Sequence, residues 1–330
     1  WLSVNVTVAT DSKRINVWDQ NLMSQWHARY KNSGVMVYWH VDKKSLCVYS
    51  QLKTCMSSEV ASMLQGVLHH DTQMNIRRIT MDTHGQSLAG FALSDLLHVA
   101  LLPRIKGIQR EKFAPPDASF RTDAPQLDTV LSAPIDWQLI QDNYSELVKY
   151  AVALKQGLVD SEVILKRFKA GNYQHPVYKA MMELGRAIKT IFLCRYLHSE
   201  ELRIEIHESQ NVVERVNGFI DFIFFGKLGE ISTNKTVDQE LAILCLHLLQ
   251  VSLVYINTLL IQEILATPEW KDKLTTIDKR ALTPLIHAHI NPYGLFPLDM
   301  AIRLNIELTK ASNEEYYVPD IPQGTRKAVC

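Results

Sequence analysis

Arg77-Arg78-Ile79-Thr80-Met81-Asp82-Thr83-His84-Gly85-Gln86-Ser87 is the stretch whose reading decides the fold. Ile76, Ile79 and Met81 give it the apolar character of a buried strand, and Gly85 breaks the run. A helix-like pattern of Leu88, Phe91, Ala92 and Leu96 follows. Asp82 is therefore expected where a strand meets a loop, at the carboxyl edge of a sheet. Open α/β sheets bind ligands at that edge. A single acid there is equally suited to capping the next loop, so its meaning depends on partners from elsewhere in the chain.

Working outward toward the amino terminus, Leu2, Val4, Val6 and Val8 alternate with Ser3, Asn5, Thr7 and Ala9, which predicts a half-buried strand. That strand is expected to end at Thr10-Asp11-Ser12, a second strand-end carboxylate or an Asx turn. The stretch from Asp19 to Tyr30 reads as a short helix. Val35, Val37, Trp39 and Val41, the turn Asp42-Lys43-Lys44-Ser45, and then Leu46, Val48 and Leu52 predict a β-hairpin. Ser57-Ser58-Glu59 opens a helix carrying Val60, Met63, Leu64, Val67 and Leu68 at helical spacing. Ala100-Leu101-Leu102-Pro103-Arg104-Ile105 suggests a fifth strand. Antiparallel strands followed by a crossover to a central strand make an α/β plan.

Toward the carboxyl terminus, Phe113 to Pro134 is rich in Pro, Asp, Ser and Thr and reads as a linker or surface loop. Helical patterns then cover 136–157, 160–170, 176–197, 199–220 and 237–266, with Pro176 in a first turn. Ala242 to Ile261 has the length of a membrane span. It contains His247, Gln250, Ser252 and Asn257, and it reads as a buried core helix. The tail after Thr309 reads as loose.

The 330 residues are 47% hydrophobic and 21% charged, which excludes a disordered chain. Lys plus Arg and Asp plus Glu are 35 each, so any nucleic-acid contact must come from local patches. Five scattered cysteines without a CxxC pair indicate reduced thiols and no zinc ribbon. The chain begins at Trp1, directly in strand-like alternation, and is expected to be a fragment of a longer protein.

A third acid is offered by the helical segment from Ser199 to Asn217, which carries five glutamates. Most belong to a solvated face. Glu214 differs, because it follows Val212 and Val213 and precedes Ile220, Phe222 and Ile223, which predicts burial of its turn. Two strand-end aspartates and a helical glutamate converging at a sheet edge would offer hard oxygen ligands to two Mg²⁺ or Mn²⁺ ions. Two such ions clamp the attacking and leaving oxygens of an in-line phosphoryl displacement. His287 and His289 form an HxH pair with no cysteine nearby, a poor zinc site. Trp18, Trp26 and Trp39 could stack on bases, although packing is the commoner fate of an aromatic.

Several motifs resemble the carboxyl-terminal catalytic part of Tn-three family replicative transposases. They are Thr10-Asp11-Ser12, Met81 to Ser87, Gly185 to Leu197, Asn211-Val212-Val213-Glu214, Phe225 to Ile231, Ala281 to Ile286 and Asn291-Pro292-Tyr293-Gly294. The similarity runs in order over nearly the whole chain. The family's Asp-Gly-Gln is Asp11-Ser12-Lys13 here, and its Leu-Asn-Lys-Gly-Glu is Gln210-Asn211-Val212-Val213-Glu214. The resemblance implies an α/β fold: an RNase H-like core of DDE type with a large all-helical insertion and a helical carboxyl-terminal region. It implies boundaries at 1–112 for the core strands and first two acids, 113–198 for the insertion, 199–232 for the Glu-bearing helix, and 233–330 for the helical end.

By the same resemblance the catalytic, metal-holding residues are Asp11, Asp82 and Glu214, with Glu208 as the alternative third acid. The implied cofactors are two Mg²⁺ or Mn²⁺ ions. The implied activity is cleavage at transposon ends and transfer of the freed 3′-hydroxyl into target DNA. Lys189, Arg195, Arg203 and His84 are the candidate DNA contacts, with Lys13, Arg104, Lys106, Arg110 and Lys112 as a weaker set. The implied partners are terminal inverted repeats, target DNA and a second copy in a homodimer, with no membrane. The implied location is the bacterial cytoplasm at the nucleoid. The competing expectations are another RNase H-like integrase or nuclease, and a non-catalytic DNA-binding or assembly fragment.

Overall fold

The computed structural model describes residues 6–301, apart from 19, 28–30, 71, 170–173, 226–228, 272, 296 and 298. The side chains of 84, 167–169, 271 and 280 are also outside the described set. The chain divides into two compact units, residues 1–250 and 251–330. The sheet and the candidate site belong to the first.

Strands β1 (Val6–Val17), β2 (Gln25–His27), β3 (Asn32–Asp42) and β4 (Cys47–Lys53) precede helix α1 (Glu59–His69). Strand β5 (Ile76–Met81), helix α2 (Leu88–Leu96) and strand β6 (Ala100–Pro103) follow. β3 pairs antiparallel with β1 and β4, while β5 and β6 run parallel to β1. Across the sheet the order is β4-β3-β1-β5-β6, with β2 on β3. The predicted hairpin, the strand ending at Asp82 and the fifth strand are all present.

Two expectations need correction. β1 does not end at Thr10-Asp11-Ser12 but runs to Val17, because antiparallel pairing continues to Ile15↔Val35. Asp11 thus sits inside a strand. The short helix expected between Asp19 and Tyr30 is, in its described part, a turn leading into β2, whose Gln25 to His27 pair with Gly34 to Asn32. Residues 1–5 of the expected first strand lie outside the described residues.

Side chains alternate along a strand. Val8 and Thr10 of β1, Tyr38 of β3, and Ile79 and Met81 of β5 face one side, where Met63, Leu64, Phe91 and Leu93 complete the core. Thr7, Asp11 and Lys13 of β1, with Arg78 and Thr80 of β5, face the other. β3 is buried on both faces from Val35 to Asp42. Trp39 is therefore a core residue at 0% exposure, which removes it from the base-stacking candidates, while Trp18 and Trp26 are exposed.

After β6 the segment expected to be a loop contains α3 (Phe120–Asp123), and it is tied down by Phe113 N–H to the Val130 carbonyl (2.9 Å) and Ser132 N–H to the Phe113 carbonyl (2.8 Å). Helices α4 (Trp137–Lys155), α5 (Ser161–Lys169), α6 (Pro176–His198) and α7 (Glu200–Ile223) come next. α6 packs against both α2 and α4. α7 crosses the opposite face of the sheet. β7 (Glu230–Ile231) then pairs with the far end of β1 at Asn16 and Val17. α8 (Thr236–Ala266), α9 (Pro268–Lys271) and α10 (Thr276–Ala281) complete the described helices.

α8 corrects the expectation of a buried core helix. It is long and apolar enough to cross a membrane, yet only 28% of its most apolar stretch is buried. Within the first unit its inward positions carry Gln239 and Gln250, both 0% exposed. Val237, Leu241, Leu244 and Leu248 point outward and are 55–74% exposed. Polar bonds set this orientation. Gln250 donates to the Ser45 carbonyl (2.7 Å) and accepts from Cys47 N–H (3.2 Å), and the His247 ring meets the Cys47 carbonyl (2.8 Å) and Ser50 Oγ (3.0 Å). A run of apolar residues announces burial but not which face is buried. Gln250→Leu should cost about 1–2 kcal/mol, since it strands two buried main-chain groups. Leu248→Gln on the outward face should stay within about 0.5 kcal/mol of the parent. Urea midpoints of the two variants measure both.

Candidate active site

The two aspartates are brought to one level by strand register. β1 and β5 are parallel neighbours whose last paired residues are Ala9 and Thr80. Asp11 lies two positions beyond Ala9, and Asp82 two positions beyond Thr80. Both therefore follow the same step past the end of the ladder, on strands spaced about 4.8 Å apart. Past this point β1 has no β5 beside it until β7 joins at Asn16, so Asp11 lies in a gap along the edge of β1. The loop after Asp82 is shaped by Gly85 N–H donating to the Asp82 carbonyl (3.1 Å) and by Ser87, whose side chain caps α2 at Gly90 N–H (3.3 Å).

α7 is fastened to this face along most of its length. Near its start Glu205 meets Arg78 (2.8 Å), Thr7 (3.3 Å) and Lys43. Burial alone would raise the Glu205 carboxyl, but the Lys43 hydrogen bond and the charges of Arg78 and Lys43 hold it below the usual carboxylate range. One turn and a little further on, buried Gln210 donates to Thr80 Oγ1 (3.2 Å). Thr10 donates to the Thr80 carbonyl (3.4 Å) and accepts from Tyr38 (3.0 Å), so a single buried network joins β3, β1, β5 and α7. Beyond it Asn217 Nδ2 donates to Asp11 Oδ2 (2.8 Å) and Asp221 pairs with Lys13 (2.5 Å).

Asp11 is held from two sides. Ser12 N–H donates to Oδ1 (2.8 Å) while Asn217 holds Oδ2. Its pKa is nevertheless pushed up to about 6, first by burial and then by the nearby charges of Asp82, Glu59 and Glu214. A carboxyl raised by like charges around it marks a site with a surplus of negative charge. Glu59 was not singled out from the sequence. It opens α1 on the other face of the sheet, where Ser12 donates to it (2.8 Å). Asn217 was also missed. Only its position seven residues after Gln210 on the same helical face could have signalled it.

The expected third acid, Glu214, is bound to a basic partner. Val213 is fully buried as expected, but the Glu214 side chain is 56% exposed and bonds Arg104 (2.8 Å). At about 100° per residue, Glu214 lies on the flank of α7 next to Gln210, and Glu208 lies farther round the helix; both are exposed. Among the described residues no three His, Cys, Asp or Glu side chains lie close enough together to share one metal ion, and the His287–His289 pair gains no third ligand. The donor chemistry still fits a hard divalent cation. Asp11, Asp82 and Glu214 carry only oxygen donors, and the charge surplus around Asp11 is of the kind such an ion neutralises.

With this geometry in view, the chain was compared with known proteins. A model of the Tn3 transposase DDE domain matches residues 1–296. The chain belongs to that family. It is 27% identical over 292 residues to the transposase for transposon Tn1546 of Enterococcus faecium, covering 87% of this chain and 29% of that protein. It is 29% identical over 237 residues to the transposase for Tn3926 of Escherichia coli, covering 70% and 23%. It is 26% identical over 264 residues to the transposase for Tn501 of Pseudomonas aeruginosa, covering 79% and 26%. The chain thus spans less than a third of the length of these curated relatives. No solved structure matches it.

In this Tn3-family DDE domain, several of the basic residues expected to touch DNA already have partners within the chain. Lys189 pairs with Glu111 (2.7 Å), both side chains being 17% exposed. Arg203 donates to the Tyr196 and Leu197 carbonyls at the end of α6 (2.7 and 2.9 Å). Lys13 is bound to Asp221, Arg104 to Glu214, and Lys112 to the Thr129 carbonyl. These side chains secure the fold of the domain. Arg195, Lys106 and Arg110 are exposed. His84 lies in a short helical turn after Asp82, and its side chain is outside the described residues.

Proposed function

We propose that this chain is the catalytic module of a replicative DNA transposase. Its core is RNase H-like, built from 1–112 and completed by α7 within 199–232. Residues 113–198 form a linker and a helical insertion, and 233–330 a helical end. The sheet order with two parallel crossovers supports the core assignment. The observation that carries the functional reading is the placement of Asp11 and Asp82 at one level on adjacent parallel strands, on the face that α7 covers with Glu214 and Asn217.

Asp11, Asp82 and Glu214 would hold two divalent cations, Mg²⁺ or Mn²⁺. Bound there, these ions would supply activation of water and of a 3′-hydroxyl for in-line attack on DNA phosphodiesters. The chain's own contribution is positioning. Ser12 N–H and Asn217 fix both oxygens of Asp11. Gln210, Glu205 and Asp221 lock α7 across the sheet, so that Glu214 is offered at a set height. Arg195, Lys106 and Arg110 are the exposed cations left to meet the DNA backbone. The substrates are transposon terminal repeats and target DNA, and cleavage of two ends calls for a homodimer. The cytoplasmic, nucleoid-associated location follows from the substrate.

The test is nicking and strand transfer on terminal-repeat DNA by the full-length protein with Mg²⁺ or Mn²⁺. Activity should require the cation. Glu214→Ala should abolish it and Glu208→Ala should retain it. The reverse pattern would leave the fold assignment standing and move the third acid to Glu208. Cleavage unaffected by loss of Asp82 and of either glutamate would end the two-metal reading.

A further inference from the structure

Arg104 follows β6 directly. Its N–H donates to the Met81 carbonyl (2.8 Å) and its own carbonyl accepts from Gln86 (3.0 Å), so its main chain is pinned to the strand that ends in Asp82. Its guanidinium crosses to α7. Nη1 donates to Glu214 Oε1 (2.8 Å), and Nη2 donates to Asn211 Oδ1 (3.1 Å), with the His207 ring and carbonyl also within reach (3.3 and 3.4 Å). Residues 207, 211 and 214 form one line along the helix, since residues three and four apart are neighbours. One side chain, rooted beside the second acid, therefore grips the third.

A guanidinium and a divalent cation want the same carboxylate oxygens. Arginine cannot give up its charge, and its planar fork matches a carboxylate. We propose that Arg104 is a latch, a positioning residue that holds Glu214 in the cation-free chain and yields it when the cation enters. The inference rests on Asp11, Asp82 and Glu214 being the metal-holding set. The latch accounts for the Glu214 carboxylate being turned to Arg104, at 2.8 Å, in a side chain that is 56% exposed.

The test is Mn²⁺ binding to the intact chain without DNA, read from the electron paramagnetic resonance signal of free Mn²⁺. Removing a partly exposed competitor, Arg104→Gln should tighten binding about two- to fivefold. Arg104→Lys keeps the charge but loses the fork and should fall between it and the parent. In a Glu214→Gln background Arg104→Gln should change nothing, because the carboxylate charge that the guanidinium and the cation contest is gone. Weaker or unchanged binding in Arg104→Gln overturns the latch. Equal tightening in the Glu214→Gln background also overturns it, by assigning the effect to general charge. If Asp11→Asn binds Mn²⁺ as the parent does, the metal-holding set itself is wrong, a failure distinct from that of the latch.

Discussion

Asp11→Asn should lower DNA cleavage by roughly a thousandfold or more, since on the proposed reading it removes a carboxylate that would hold the ions stabilising transition-state charge. It should at the same time stabilise the cation-free chain at neutral pH by about 1–2 kcal/mol. The unfolded carboxyl ionises near 3.8 and the folded one near 6. Between those values the folded chain keeps a proton that the unfolded chain has lost, so this group lowers stability as pH rises through the window. Above about 6 the whole cost is present, on the order of 3 kcal/mol. Asparagine is neutral and removes it. Its single carbonyl oxygen can accept from Ser12 N–H or from Asn217 but not both, which returns about 1 kcal/mol. Melting temperatures of the two chains in chelator should therefore differ at neutral pH and converge toward pH 4. A variant less stable than the parent at neutral pH would refute the account of burial and repulsion. Undiminished cleavage would remove Asp11 from the active set.

Gly185→Ala should destabilise the chain by about 3 kcal/mol, at the upper end of what overpacking costs. Helix α6 approaches α2 so closely at this point that an added Cβ would lie inside the contact distance of the Leu88 carbonyl oxygen and carbon. The obstacle is backbone, so no rotamer change relieves it. Leu88 begins α2 directly after the capping Ser87, and the displacement would pass into the loop that follows Asp82. Alanine's better helix propensity recovers only about 1 kcal/mol. Gly218→Ala in α7 is the control, because it has nothing within 4 Å and gains that propensity without a clash. Urea midpoints should move in opposite directions for the two variants. A Gly185→Ala chain as stable as the parent would mean that α6 can pull away from α2 freely.

Much of the core was legible because its periodicities are unmixed. Val35 to Leu52 alternates and becomes the β3–β4 pair, and Val60 to Leu68 repeats at helical spacing and becomes α1. β1 was cut short because Asp11-Ser12-Lys13-Arg14 is a polar run that looks like a turn. Pairing with β3 carries it as strand, a partner that local pattern does not reveal. α8 was misread because length and apolarity are blind to orientation, which Gln250 and His247 set through bonds to β4. In the site, Asp82 stood out from its strand-to-loop position, and Glu214 was marked by resemblance. Glu59, Asn217 and Arg104 were invisible in their present roles. Each meets its partner only through tertiary folding, across intervals of tens to hundreds of residues.

The fastening of α7 across the sheet has a consequence for biosynthesis. Asp11 and Asp82 leave the ribosome before α7, and the strands that align them can pair as soon as β6 has emerged. The helix that supplies Glu214, Asn217 and the buried Gln210 begins only at Glu200, well after β6 ends at Pro103. A prematurely ended translation product would carry both aspartates on an uncovered face and no third acid. Bringing the three acids together is thereby tied to the synthesis of α7.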